Sequence, residues 1–167
     1  TITVPSSVTM IQERAFSGCD SLVALTVEEG NTVYDSRNNC NAIIETSSNT
    51  LVAGCAATVI PENVTKIGKH AFSYHTLLHT ITIPSSVTTI DDRAFAQCSS
   101  LASITLSDGL EFINHSAFAG CELLANITLP TTVTYIGEAA FKQCSALKSI
   151  IIPNNVTSIK RSAFSYC

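Results

Sequence analysis

The sequence predicts a repeat solenoid: a coil of roughly 23-residue units with a short parallel β-ladder and one β-hairpin insertion. Three observations carry this reading. The pair Ala-Phe recurs at residues 15–16, 71–72, 94–95, 117–118, 140–141 and 163–164, and the last five pairs are 23 residues apart. A β-prone triplet such as Ile81-Thr82-Ile83 precedes the pairs in copy after copy. All five prolines, at 5, 61, 84, 130 and 153, fall in the single slot that follows this triplet.

Residues 81–103 serve as the type copy, with apolar residues at Ile81, Ile83, Val87, Ile90, Ala94, Phe95, Cys98 and Leu101. The two following copies repeat these positions, from Ile104 to Leu124 and from Ile127 to Leu147. In the triplet, two apolar side chains point inward and the threonine between them points outward. The proline that follows has no N–H for a ladder and turns the chain away. So small a unit cannot bury its own apolar edge, so the copies must stack, which predicts one continuous parallel ladder. Six strands at about 4.8 Å each make a rod on the order of 30 Å long. Residues 1–167 read as one repeat domain with incomplete first and last copies, and residues 28–58 as a hairpin insertion within it.

The recurring pattern C-x-x-L-x-x-I-x-I-P-x-x-V-x-x-I-x-x-x-A-F resembles the BspA-like, or treponemal-type, leucine-rich repeats of bacterial and parasite surface proteins. The resemblance covers the chain apart from the insertion and is specific, because several independent positions recur at one period. It implies a right-handed leucine-rich-repeat coil, an extracellular or cell-surface location, and an adhesin-like role in host interaction.

Phe16 and Phe72 are 56 residues apart, one period plus 33. The repeat breaks after Leu25-Thr26-Val27 and resumes at Val59-Ile60-Pro61. Residues 40–45 and 50–55 are two β-prone runs around Thr46-Ser47-Ser48-Asn49, a hairpin signal. A turn centred on Ser47-Ser48 sets Ile44 opposite Leu51, Ala42 opposite Ala53 and Cys40 opposite Cys55. Such a hairpin is either a structural element, lying on the solenoid or standing in for one strand pair, or it presents its polar approach, residues 34–39, as a contact loop. Cys40 and Cys55 are then either a disulfide or two free thiols.

Cys98, Cys121, Cys144 and Cys167 share one repeat position with Cys19. Neighbours there stack with parallel side-chain vectors about 5 Å apart, whereas a disulfide needs Cβ atoms near about 3.8 Å. This predicts a ladder of buried free thiols acting as small apolar groups. His75 replaces the cysteine of its copy, and His70, His79 and His115 do not converge with it by sequence. No spacing suits a metal, and there is no phosphate loop, nucleophile elbow or paired carboxylate, so neither an enzyme nor a cofactor is expected. The four sequons at Asn63, Asn114, Asn126 and Asn155 arise from repeat composition.

With 46% apolar and 13% charged residues the chain can build a core. Its net charge of −4 and scattered basic residues leave no stripe for nucleic acid or anionic membrane. No apolar run spans a membrane. The expected function is non-catalytic binding of a protein or glycan through the outward strand positions Thr26, Thr82, Thr105, Thr128 and Ile151. Thr80, Ser103, Asn126 and Ser149 flank them. The alternative is a structural spacer or stalk, with end-to-end self-association through ends that lack polar caps.

Overall fold

The computed structural model describes residues 1–167 and is a β-solenoid of about six turns with the 23-residue spacing. Its strands are β1 (Ile2–Val4), β2 (Leu25–Val27), β3 (Tyr34–Asp35), β4 (Ala42–Glu45), β5 (Thr50–Gly54), β6 (Lys66–Ile67), β7 (Thr80–Ile83), β8 (Thr89–Ile90), β9 (Ser103–Leu106), β10 (Phe112–Ile113) and β11 (Tyr135–Ile136). A 3-10 turn lies at Arg37–Asn39.

The triplets form strands where expected, with Ile81 and Ile83 buried and Thr80 and Thr82 exposed. The predicted continuous ladder, however, is interrupted. β1 pairs with β2 and β7 with β9, both parallel, and nothing joins the two sheets. The insertion explains the break, because it captures the triplet of its own copy: Val59 N donates to Cys40 O at 3.0 Å, and Thr58 Oγ1 donates to Asn41 O at 2.6 Å. Farther along, residues 126–129 exchange no backbone hydrogen bonds, yet Ile127 and Leu129 are buried while Asn126 and Thr128 are exposed. Burial alone enforces the alternation there.

A second ladder, which the sequence did not announce, joins the copies more fully. β6, β8, β10 and β11 are two-residue parallel strands held one period apart, Lys66 on Thr89 and Phe112 on Tyr135. β5 continues this ladder in parallel, and β4 and β3 add antiparallel strands to make a seven-stranded sheet. Of the two structural alternatives, the hairpin therefore stands in for strands of the solenoid wall rather than lying on it.

Its register corrects the predicted pairing. Ile44 does face Leu51, but a bulge then shifts the partners, so Ile43 faces Ala53 and Ala42 faces Gly54. A slip of one residue sends side chains to the opposite face. Cys40 joins Ala42, Ile44 and Leu51 in a core cluster of 34 residues, whereas Cys55 joins Ile43 and Ala53 in a separate cluster of 7. Both thiols are free, and the facing geometry expected of a disulfide is absent. The predicted single apolar face gives way to a hairpin apolar on both faces, a partition between two cores.

The larger core is organised around a column of phenylalanines. Phe72, Phe95, Phe118, Phe141 and Phe164 stack nearly parallel, with successive centroids 5.0, 5.4, 5.3 and 5.4 Å apart, within the contact range of aromatic pairs. Phe16 lies outside the column and packs against the smaller cluster. Gly54 of β5 closes the column: a Cβ there would lie 2.1 Å from the Phe72 ring. Around each Ala-Phe pair the chain turns through two left-handed residues, for example Arg93 and Gln97, or Ser116 and Gly120. A non-glycine residue costs roughly 1–2 kcal/mol in that conformation. Backbone bonds between copies offset this, such as Phe95 N to Ala117 O and Phe118 N to Ala140 O, both 2.8 Å.

Candidate functional site

The strand triplets hold their outward residues in rows set by the parallel register, Thr80 beside Ser103 and Thr82 beside Thr105. Thr82, Ser103, Thr105, Asn126, Thr128 and Ile151 are exposed on this face, Ile151 to 86%. Thr26 is separated from them: it is half-buried, lies in the other sheet and bonds Thr3 through hydroxyls 3.0 Å apart. Where the rungs are not hydrogen-bonded, two shallow depressions open between them. One, of roughly 270 Å³, includes Ser103, Thr105, Asn126 and Thr128 in its lining. The next, of roughly 280 Å³, shares Asn126 and Thr128 and adds Ser149 and Ile151. The face offers hydroxyls, an amide, free backbone groups and one exposed isoleucine, with no charge.

The cysteine slot is more than a row of small apolar groups. Each thiol of Cys98, Cys121, Cys144 and Cys167 donates to the carbonyl of the phenylalanine one copy earlier, at 3.0, 3.2, 3.2 and 3.2 Å. Burial pushes the Cys98 and Cys144 thiols up to about 12, and it raises Cys121 as well. They stay protonated and inert as nucleophiles. Cys167 is the exception in exposure.

The histidines remain apart. Arg14 Nε donates to His70 Nδ1 at 3.4 Å, and Arg93 approaches His115 at 3.3 Å. His79 Nδ1 contacts Leu77 O at 2.6 Å. His75 is buried with its Nε2 unpartnered. No three or more His, Cys, Asp or Glu side chains gather as for a metal, and no helix is long and apolar enough to cross a membrane.

The approach to the hairpin is tied into the structure. Tyr34 is buried and its hydroxyl accepts from Ile11 N at 2.9 Å. Arg37 pairs with Asp35 and reaches Asn49 Oδ1 at 2.8 Å. Only Asn38 and Asn39 of residues 34–39 are exposed.

A larger cleft, of roughly 610 Å³, lies where the first copy, the hairpin turn and the second ladder meet. Glu13 lines one side, Glu45 and Ser48 another, and Thr50, Lys66 and Thr89 lie along it on neighbouring strands. Gly68 lets the strands approach, since a Cβ there would lie 2.9 Å from Leu51 O. Asp91 is buried beneath, bonded to Lys66 Nζ at 2.6 Å and Asn114 Nδ2 at 3.0 Å. Burial opposes ionisation of Asp91, but these partners and the Asp92 N–H outweigh it and hold its carboxyl below the usual range. The cleft was not legible in the sequence, because it depends on the pairing of β5 with β6.

This repeat geometry agrees with the comparisons. The family model described as BspA type Leucine rich repeat region matches six copies over residues 1–51 and 54–167. The chain belongs to the BspA-type leucine-rich repeat family. The match runs through most of the insertion, which the sequence pattern had set outside the repeats. Among solved structures, a leucine rich cell surface protein of Faecalibacterium prausnitzii is 34% identical at a TM-score of 0.83, over 99% of this chain and 45% of its own. The pneumococcal vaccine antigen PcpA is 25% identical at a TM-score of 0.79, over 92% and 38%. The leucine rich repeat protein of T. pallidum is 28% identical at 0.60, over 91% and 58%. This BspA-type chain thus spans less than two thirds of each of these relatives. No curated protein matches it.

Proposed function

We propose that this chain is an extracellular, non-catalytic binding module that recognises a protein or glycan through its strand-triplet face. The family match and the cell-surface neighbour support a surface interaction role. The observation that carries the finer reading is the pair of adjoining depressions lined by Ser103, Thr105, Asn126, Thr128 and Ser149. There, solvent-facing side chains and unbonded backbone groups lie on a rigid scaffold, which favours recognition over catalysis. Contacts of this neutral kind give modest affinity per module, so repeated modules gain strength by multivalency.

The test is a binding screen of the immobilised chain against matrix proteins and a glycan array, with a Thr105→Glu/Thr128→Glu variant alongside. A saturable signal in the wild type, lost in a folded variant, is the expected result. Silence from the folded wild type would favour the spacer reading. A signal that survives in the variant would move the site off this face.

A further inference from the structure

We infer that the cleft between the first copy, the hairpin turn and the second ladder is a separate binding site for a neutral oligosaccharide. Its volume of roughly 610 Å³ lies within the range of about 300–1,000 Å³ typical of small-molecule sites. The lining decides the class of ligand. Of its 14 residues only Ile11 and Val52 are hydrophobic, so a peptide finds no pocket for an apolar anchor. Nor does an anionic ligand find an unpaired cation: Lys66 is held by the buried Asp91 and Lys69 lies 3.8 Å from Asp92. What the cleft offers is threonine hydroxyls and the carboxylates of Glu13 and Glu45, the latter accepting from the Ser48 hydroxyl, and these suit a ligand that both donates and accepts hydrogen bonds without charge.

The row beyond the cleft supports the same class. Along the outward side of the second ladder Lys66, Thr89, Phe112 and Tyr135 follow one another. Phe112 is 40% exposed, and a depression of roughly 450 Å³ brings it together with Tyr135, Asn114 and Asp92. The exposed ring of Phe112 beside these hydrogen-bonding side chains suits a sugar ring, which has an apolar C–H face and a polar rim, while the Tyr135 ring carries the Lys160 ammonium 5.7 Å from its centroid. Three rungs at about 4.8 Å separate Lys66 from Tyr135, about 14 Å in all. A trisaccharide seated in the cleft therefore reaches the aromatic shelf.

The register also supplies the variant. In other copies the slot of Thr89 is filled by Lys66, Phe112 and Tyr135, so Thr89→Lys is compatible with the fold while crowding and charging the cleft. The experiment titrates the ¹⁵N-labelled chain with neutral oligosaccharides of glucose, galactose, mannose and N-acetylhexosamine, and with sialylated and sulfated counterparts. A neutral sugar is expected to shift the amides of residues 65–69 and 88–91 saturably. Thr89→Lys is expected to weaken it at least about tenfold, and Thr105→Glu/Thr128→Glu to leave it unchanged. The proposal is overturned if no neutral sugar moves these amides, if only the anionic sugars do, or if Thr89→Lys binds like the wild type. Loss in the Thr105→Glu/Thr128→Glu variant instead would assign the sugar to the strand face.

Discussion

His75 occupies the slot in which Cys98, Cys121 and Cys144 each donate one hydrogen bond to a carbonyl of the preceding copy. Its ring is larger and buried with Nε2 unpartnered, a state that costs about 1–3 kcal/mol for a polar group. Burial lowers its pKa below 6.5, against the opposing pull of Asp20 and of the Phe16 carbonyl. Just below pH 6.5 the unfolded chain then binds more protons than the folded one, so stability falls as pH falls through that window. His70 is also lowered, by burial and by Arg14 and Arg93, and adds the same sign. His75→Cys, which restores the thiol of the slot, is expected to raise stability by about 1–2 kcal/mol at neutral pH. Denaturant melts at pH 7.5 and 5.5 should show the variant with the smaller loss; equal losses would contradict this account of the ring. The thiols themselves offer a second check. Five of the seven cysteines are buried, so a thiol reagent should modify only Cys19 and Cys167 in the native chain and all seven after unfolding. Recovery of five in the unfolded chain would mean that Cys40 and Cys55 are joined after all.

Among the elements, the phenylalanine column and the hairpin are coupled through Gly54, whose missing side chain leaves room for the Phe72 ring. Gly54→Ala places a methyl in that space, and with the ring fixed by Phe95 the overpacking should cost about 1–3 kcal/mol. Thermal unfolding should report the loss, while an unchanged melting temperature would show that the ring moves freely. The same elements mark what was legible beforehand. Ile81-Thr82-Ile83 reads as a strand because alternation and proline together define it, and the Ala-Phe column follows from a fixed period. The second ladder was hidden since two-residue strands such as Thr89–Ile90 are too short to show alternation. The left-handed turns were hidden too, because Gly18 and Gly120 fill slots where other copies carry Tyr74, Gln97 and Gln143. The hairpin pairing failed at one bulge, between Ile43 and Ile44, which no residue type there signals.

At the scale of the whole molecule, the two ladders give the outer surface regions of different chemistry. On one side of the coil Thr82, Thr105 and Thr128 form an uncharged strand face; elsewhere the hairpin builds a charged and hydroxylated cleft against the second ladder. Thr26 was expected on the binding face because it shares the repeat position, yet the captured triplet at 58–60 separates its sheet from the rest. Repeat position predicts a side chain's direction, whereas membership of a surface depends on which rungs are adjacent. The most direct test of the central claim is hydrogen–deuterium exchange of the chain with and without the partner captured in the binding screen. Slowed exchange at residues 103–106 and 126–129 is the predicted result, and protection confined to the Ala-Phe turns would contradict recognition through the strand face.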